Sequence, residues 1–246
     1  MLSKNTINFI RSLKDKKIRQ HEMLFTAEGT KSVIELCQAS KISVKGVFAT
    51  KEWLDNYSTK IPKNIEINLA SNKEMEQISS LKTHQNVLLL AQIPSFNLDK
   101  ASINKGLSLV IDTIQDPGNL GTIIRIADWY GIENVICSLS CADAYNSKAI
   151  QASMASIARV KVHYIDLLTF LSQNSLPVYG AVMDGENLHA INLKMPALLL
   201  IGNEGKGIGN DLKTYINQAI TITKIGEAES LNAAIATAII CDRFLG

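Results

Sequence analysis

Hydrophobic and polar residues change period several times along this chain, and the changes define its elements. In the first hundred residues short helical and strand patterns alternate. "SKNTINFIRSL" has helical spacing with Ser3 placed to cap it. "MLFTAEG" (23–29) predicts a strand ending in a turn. "TKSVIELCQAS" (30–40) brings Val33, Ile34, Leu36 and Cys37 to one side of a helix. "VKGVFAT" (44–50), "IEINLA" (65–70) and "NVLLLAQI" (86–93) predict strands. Before the last of these, Ser71 and Glu74 form a capping-box pattern that satisfies free N–H groups at a helix start. The period is lost in "PSFNLDKASINKG" (94–106), where a linker is expected.

Beyond the linker the alternation is regular. Strands are expected over 107–112, 134–139, 159–165, 177–182, 197–202 and 219–223. Helices are expected over about 119–130, 146–157, 166–173, 210–217 and 230–244. Wholly apolar strands such as "ALLLIG" suit a parallel sheet covered on both faces. The fold class is therefore α/β, divided into a first domain over 1–96, a linker over 97–106 and a second domain over 107–246. An open parallel sheet places ligand sites at the carboxyl ends of its strands, so the loops after strands are where chemistry is expected.

Composition narrows the function classes. Apolar residues make up 46% of the 246 residues and charged ones 20%, an ordinary balance for a chain with a packed core. No apolar run reaches the roughly 18 residues of a membrane span, and the start lacks a signal peptide's apolar centre, so a cytoplasmic protein is expected. Cys37, Cys137, Cys141 and Cys241 form no CxxC pair, which argues against zinc and for buried thiols. The net charge is only +2, yet it is unevenly placed. Residues 1–96 hold 14 Lys and Arg against 9 Asp and Glu, while residues 97–246 hold 11 against 14. One part of the chain is thus suited to a polyanion, although the run "KDKKIR" (14–19) taken alone also fits a solvated helix end.

Three loops of the second part contain candidate chemistry. In "IDTIQDPGNLGTIIRIADWYGIENVI" (111–136), "QDPGN" is turn chemistry, Asn119 can cap the following helix and Gly131 can end it. Ile123, Ile126, Ala127 and Tyr130 form a core stripe, while Gly121, Arg125 and Asp128 lie on another face. An Arg fork beside a glycine suits a phosphate or a developing anion; an exposed Arg125–Asp128 pair, worth about 0.2–0.5 kcal/mol, is the ordinary alternative. In "LLLIGNEGKGI" (198–208) the glycines fit neither a Walker A loop nor GxGxxG, and Glu204 would repel a triphosphate. A bare backbone with one carboxylate better fits a ligand without phosphates, such as S-adenosylmethionine; alternatively the glycines only shape a turn. In "ITITKIGEAESLNAAIATAIICDRF" (220–244), Ser230 is placed to cap a small, apolar helix, with Asn232 polar in its first turn.

Together "DPGNLGTIIRIAD", "LLLIGNEGKGI" and "ESLNAAIA" resemble, in order, the motifs of the SpoU-like RNA 2′-O-ribose methyltransferases of the SPOUT superfamily. "ADAYNSKAIQAS" (142–153) resembles the segment between the first two, and "LFTAEGTKSVIE" resembles the small L30e-like substrate-binding domain that often precedes them. The resemblance implies a C-terminal SPOUT domain with a parallel sheet and a deep trefoil knot, working as a homodimer. It implies an S-adenosyl-L-methionine site lined by Gly202, Ile222 and Leu231, and a catalytic centre of Asn119, Arg125, Glu204, Ser230 and Asn232. It implies methyl transfer to a ribose 2′-hydroxyl of RNA, with no metal, and the basic leading part favours ribosomal over transfer RNA. Three positions depart from the family pattern. Thr223 stands where a proline is usual, Ser147 stands where a proline is common, and Ala233 follows Asn232 where valine is more usual. Each leaves the polar candidates intact. The competing functions are a ribosome-associated RNA-binding protein without catalysis, and a dinucleotide-dependent oxidoreductase, which would need the missing GxGxxG.

Overall fold

The computed structural model describes all residues from Met1 to Gly246, and the chain divides into two compact units. The first is Met1–Ser95 together with Asp143–Arg159; the second is Phe96–Ala142 together with Val160–Gly246. The segment 143–159, which the sequence pattern places in the second part, thus packs within the first unit.

In the first unit the elements are α1 (Lys4–Ser12), α2 (Lys16–Glu22), β1 (Leu24–Glu28), α3 (Thr30–Gln38), β2 (Val44–Ala49), α4 (Lys51–Tyr57), β3 (Ile67–Leu69), α5 (Asn72–Ile78) and β4 (Val87–Gln92). The strands make one sheet in the order β1-β4-β2-β3, antiparallel except for the β2–β3 pair. The caps follow the sequence. The Ser3 hydroxyl accepts the Thr6 N–H, and Ser71 and Glu74 form the full capping box. Two helices were not expected. The basic run becomes α2, capped by Asp15, and "KEWLDNY" becomes α4, capped by Thr50. Both have seven residues, too short to display a clear helical period.

Arg19 of α2 is the most deeply buried charge of this unit. Its side chain is 4% exposed and meets Asp143, 11% exposed, at 2.7 Å. Its guanidinium also donates to the carbonyls of Leu13 and Lys14, which follow α1. Phe25 of β1 packs against Tyr145 beside this pair. The returning segment, with its helix α8 (Ser147–Ser153), is therefore held by the buried Arg19–Asp143 pair, a more exposed Arg159–Glu35 pair and one aromatic contact.

The second unit holds α6 (Lys100–Ile103), β5 (Leu107–Ile111), α7 (Pro117–Trp129), β6 (Asn134–Ser138), β7 (Lys161–Ile165), α9 (Leu167–Ser172), β8 (Val178–Asn187), β9 (Ala197–Ile201), α10 (Asn210–Lys213), β10 (Gln218–Thr221) and α11 (Ala233–Leu245). Single-turn α6 lies within the expected linker, with Ser102 and Ile103 buried. All six strands run parallel in the order β10-β8-β9-β5-β6-β7. Every residue of β5 and β9 is buried, as expected for strands covered on both faces. From β5 the chain builds outward through β6 and β7, then returns to the other side with β8 and β9. The β5–β9 junction is thus a topological switch point, where open parallel sheets form a crevice at the strand carboxyl ends. Helices α7 and α11 pack on one another, joined by a 3.0 Å hydrogen bond from the Tyr130 hydroxyl to Asp242.

The buried pair and a buried imidazole give two stability predictions. Arg19→Ala leaves the Asp143 carboxylate without its partner and is expected to cost about 3 kcal/mol in urea unfolding; a loss near zero would contradict the pair's role. His163 of β7 is buried, 3.2 Å from Asn134 Oδ1, and its pKa is lowered by that burial and then by the nearby Lys161 charge. A depressed imidazole contributes stability that is present above the ordinary histidine pKa near 6.5 and is lost as pH falls through the folded value. The melting temperature of the wild type should therefore fall more between pH 7.5 and 5.5 than that of His163→Gln; parallel curves would contradict this.

Candidate active site

The loops after β5, β9 and β10 meet at the switch point. The loop after β5 ends in a helix start built from three neighbouring residues. Asp116 is the N-cap, its carboxylate accepting the Asn119 N–H at 2.9 Å, and Pro117 opens α7. Proline is favoured there because the first helical N–H has no intrahelical partner. Asn119 is therefore not the cap expected from the sequence; it stands in the first turn with its side-chain amide free for other partners. Gly131, at φ 67°, follows the helix end as expected. The buried side of α7 is Leu120, Gly121, Ile123, Ile124 and Ala127. Gly121 thus belongs to the packed side and not to the Arg125 face, while Ile126 and Tyr130 are half-buried. Arg125 is exposed.

The glycine loop after β9 closes on itself. Asn203 and Gly207 exchange two backbone hydrogen bonds, of 3.0 and 2.9 Å. The Asn203 side-chain oxygen accepts from the N–H groups of Gly205 and Lys206, a turn stabilised by its own asparagine. Gly207 has φ 68°, and a Cβ on Gly202 would lie 2.3 Å from backbone atoms of Gly207 and Ile208. No side chain fits at 202, so the two legs of the loop depend on glycine there.

Glu204 at the tip of this loop accepts a 2.5 Å hydrogen bond from Asn119 Nδ2. Asn119 Oδ1 in turn accepts from Asn232 Nδ2 at 2.9 Å. Asn232 Oδ1 then accepts the N–H groups of Ala234 and Ile235, so Asn232 is the N-cap of α11. Ser230, expected in that role, is exposed in the coil before the helix. The cap falls on Asn232 because its amide can bind α11 with the oxygen and Asn119 with the nitrogen, which a serine hydroxyl does not span. Three loops are thereby joined by one chain of hydrogen bonds.

Beside this chain opens a cavity of 640 Å³, within the roughly 300–1,000 Å³ range of small-molecule sites. Gly202, Glu204, Ile222, Ser230 and Leu231 line it, within a wall that includes residues 221–226. Asn119 and Asn232 reach it through Glu204, and Arg125 lies outside its lining. The lining combines apolar residues such as Ile201, Ile208, Ile220 and Ile222 with Gly202, Gly205, Gly207 and Gly226, which leave main-chain groups uncovered. Three residues that the sequence did not single out also hold this site. Asn203 Nδ2 donates to the Thr113 carbonyl at 2.9 Å, and the Asp112 carboxylate accepts the Gly209 N–H at 2.9 Å. Asn203, two residues before a glycine in a turn, left a readable signal; Asp112 and Thr113 left none, because their partners are about 90 residues away. No three His, Cys, Asp or Glu residues are grouped so as to hold a metal.

Comparison with known proteins bears on the same segments. The SpoU rRNA Methylase family matches residues 106–242, and the MRM3-like substrate binding domain matches residues 4–89. The 23S rRNA (guanosine(2553)-2′-O)-methyltransferase RlmP of Bacillus subtilis is 30% identical over 243 residues, covering 94% of this chain and 96% of its own. A TrmH-family protein from Porphyromonas gingivalis has a solved structure with TM-score 0.88 and 35% identity, covering 99% of this chain and 98% of its own. The AdoMet-bound rRNA methyltransferase of Sinorhizobium meliloti shares the fold at TM-score 0.85 and 24% identity, covering 99% and 95% of the two chains. Motif order, parallel sheet and full-length similarity converge: the chain belongs to the SpoU rRNA methylase family.

Proposed function

We propose that this protein transfers a methyl group from S-adenosylmethionine to a ribose 2′-hydroxyl of ribosomal RNA. The observation that carries this reading is the hydrogen-bonded chain Glu204–Asn119–Asn232, which reaches a cavity bordered by the glycine loop through Glu204. The RlmP relative, similar along nearly its whole length, is named as acting on 23S rRNA, which favours ribosomal over transfer RNA.

The cavity fits the methyl donor by volume and by chemistry. Gly202, Ile222 and Leu231 line it, and the charged residues around it are of both signs, Lys206, Lys213 and Lys224 against Asp184, Glu204 and Glu229. When bound, S-adenosylmethionine supplies an electrophilic methyl group on a sulfonium. The chain's part is alignment, which can contribute roughly 7–11 kcal/mol to lowering a barrier. Glu204 fixes the Asn119 amide, and Asn119 fixes Asn232, so the elements around the reacting atoms cannot drift apart. Ser230, exposed on the cavity wall, orients the nucleotide or the donor. Arg125 carries a guanidinium, a group that donates hydrogen bonds only and has no lone pair available to take a proton. It therefore serves as a clamp on an RNA phosphate and as a stabiliser of negative charge developing on the ribose oxygen, not as the base. Its exposure leaves the guanidinium open to an RNA strand.

Further parts of the reading concern the assembly. The C-terminal segment around 202–231 forms the trefoil knot of SPOUT proteins, with the loop closure at Gly202 supporting such close threading. The first domain, 1–96, is L30e-like and captures RNA, supported by its excess of Lys and Arg. The second domain, 107–246 after a linker at 97–106, carries the chemistry. The protein acts in the cytoplasm as a homodimer. Trp129, 83% exposed on α7, and Ile235, 54% exposed on α11, are large apolar side chains on two packed helices, as a subunit interface would require.

Arg125→Ala is expected to lower methyl transfer at least about 100-fold, the scale for losing one charge-stabilising donor. The assay follows radiolabelled methyl from S-adenosylmethionine into ribosomal RNA isolated from cells lacking this gene. Calorimetric affinity for S-adenosylmethionine should stay within about twofold of wild type, because Arg125 lies outside the cavity lining. Lost donor binding in a folded variant would overturn the assignment of Arg125.

A further inference from the structure

The glycine loop that borders the cavity is held at its tip by Asn119 and at its two ends by consecutive residues of the loop after β5. Asp112, 8% exposed, accepts the Gly209 N–H at the closing end of the loop, and the Thr113 carbonyl accepts from Asn203 at its opening end. Thr113 is itself held on every polar side. Its N–H donates to Ser138 Oγ at 3.0 Å, its hydroxyl donates to Asp112 Oδ1 at 2.7 Å, and the same hydroxyl is 3.0 Å from Ser140 Oγ.

Thr113 makes these contacts from a left-handed backbone, φ 57°. A β-branched residue is rarely found there, since its Cβ substituents crowd the neighbouring carbonyl. Glycine or asparagine would adopt the same backbone with less strain. Strain of this kind persists only where surrounding contacts enforce it. The hydroxyl supplies such a contact: it bonds one Asp112 oxygen while the other takes Gly209, so the carboxylate plane is set from both ends.

We infer that Asp112 and Thr113 are positioning residues for methyl transfer, acting as a clasp that sets the glycine loop against the start of α7. The inference rests on the cofactor reading given above. Residues 112–116 lead directly into α7, which bears Asn119 and Arg125. Fixing both ends of the glycine loop to residues 112 and 113 therefore fixes the wall of the donor cavity relative to the groups that handle the ribose. Without the clasp the loop keeps its internal bonds at Asn203 and Gly207 and its tip contact at Asn119, but its two ends lose their outside reference.

The test separates strain from position. Thr113→Gly removes the hydroxyl and relieves the backbone, so its melting temperature should equal or exceed that of wild type. Its calorimetric Kd for S-adenosylmethionine should nevertheless rise about fivefold or more, the scale of one lost hydrogen bond. Thr113→Ser, which restores the hydroxyl, should return the Kd to within about twofold of wild type. Asp112→Ala should weaken donor binding at least as much as Thr113→Gly. Should Asp112→Ala fail to fold, the glycine and serine pair still decides the matter. Stability and affinity moving in opposite directions is not expected of a residue that only supports the fold. A Thr113→Gly protein that binds the donor as wild type does would overturn the clasp and leave the cofactor reading standing. A wild-type chain that takes up no S-adenosylmethionine would overturn both.

Discussion

One side-chain amide joins the three loops at the switch point. Asn119 gives its nitrogen to Glu204 and its oxygen to Asn232, and its backbone N–H goes to Asp116. Each group has a single direction in which it can bond, so the arrangement tolerates no exchange of nitrogen and oxygen. An aspartate at 119 would lose the donor to Glu204 and set two carboxylates face to face. An alanine would release Glu204, Asn232 and the start of α11 from one another. Methyl transfer between two bound molecules asks for alignment before anything else, and on the proposed reading this amide is where the chain meets that demand.

The rest of the second unit follows from the same requirement. Buried β5 and β9 supply a rigid floor, and their loops inherit its position. The glycine loop could not close without Gly202, yet a loop so free of side chains carries few contacts of its own to the outside. Its anchorage is accordingly borrowed, from Asp112 and Thr113 on one side and from Asn119 on the other. The first unit is stabilised differently, by a conventional apolar core under a mixed sheet and by Arg19, which ties α2 to the returning segment at Asp143.

Much of this was legible in the sequence, and the limits have physical causes. Strands such as 197–202 and 107–112 are recognisable because burial on both faces makes them uniformly apolar. Helix α7 is recognisable from its stripe and from Gly131. The cap of α11 was displaced from Ser230 to Asn232, and that of α7 from Asn119 to Asp116, because tertiary hydrogen bonds decided which of several suitable residues took the role. Helices α2 and α4 are too short for periodicity to reveal them. The packing of 143–159 within the first unit depends on Arg19 and Phe25, residues more than a hundred positions away, which no local pattern encodes. The candidate residues of the motifs were found by their order along the chain. Their mutual hydrogen bonds, and the left-handed Thr113, became visible only in three dimensions.

The central claim is that the donor is gripped by main-chain groups of the glycine loop and of the segment before α11. Hydrogen–deuterium exchange of the full chain, with and without saturating S-adenosylmethionine, measures those groups directly. The account predicts that amides within 202–209 and 221–232 slow by about tenfold or more on adding the donor, while those of β1 and β4 in the first unit are unchanged. Unaltered exchange in both segments, at a donor concentration where calorimetry registers binding, would contradict it.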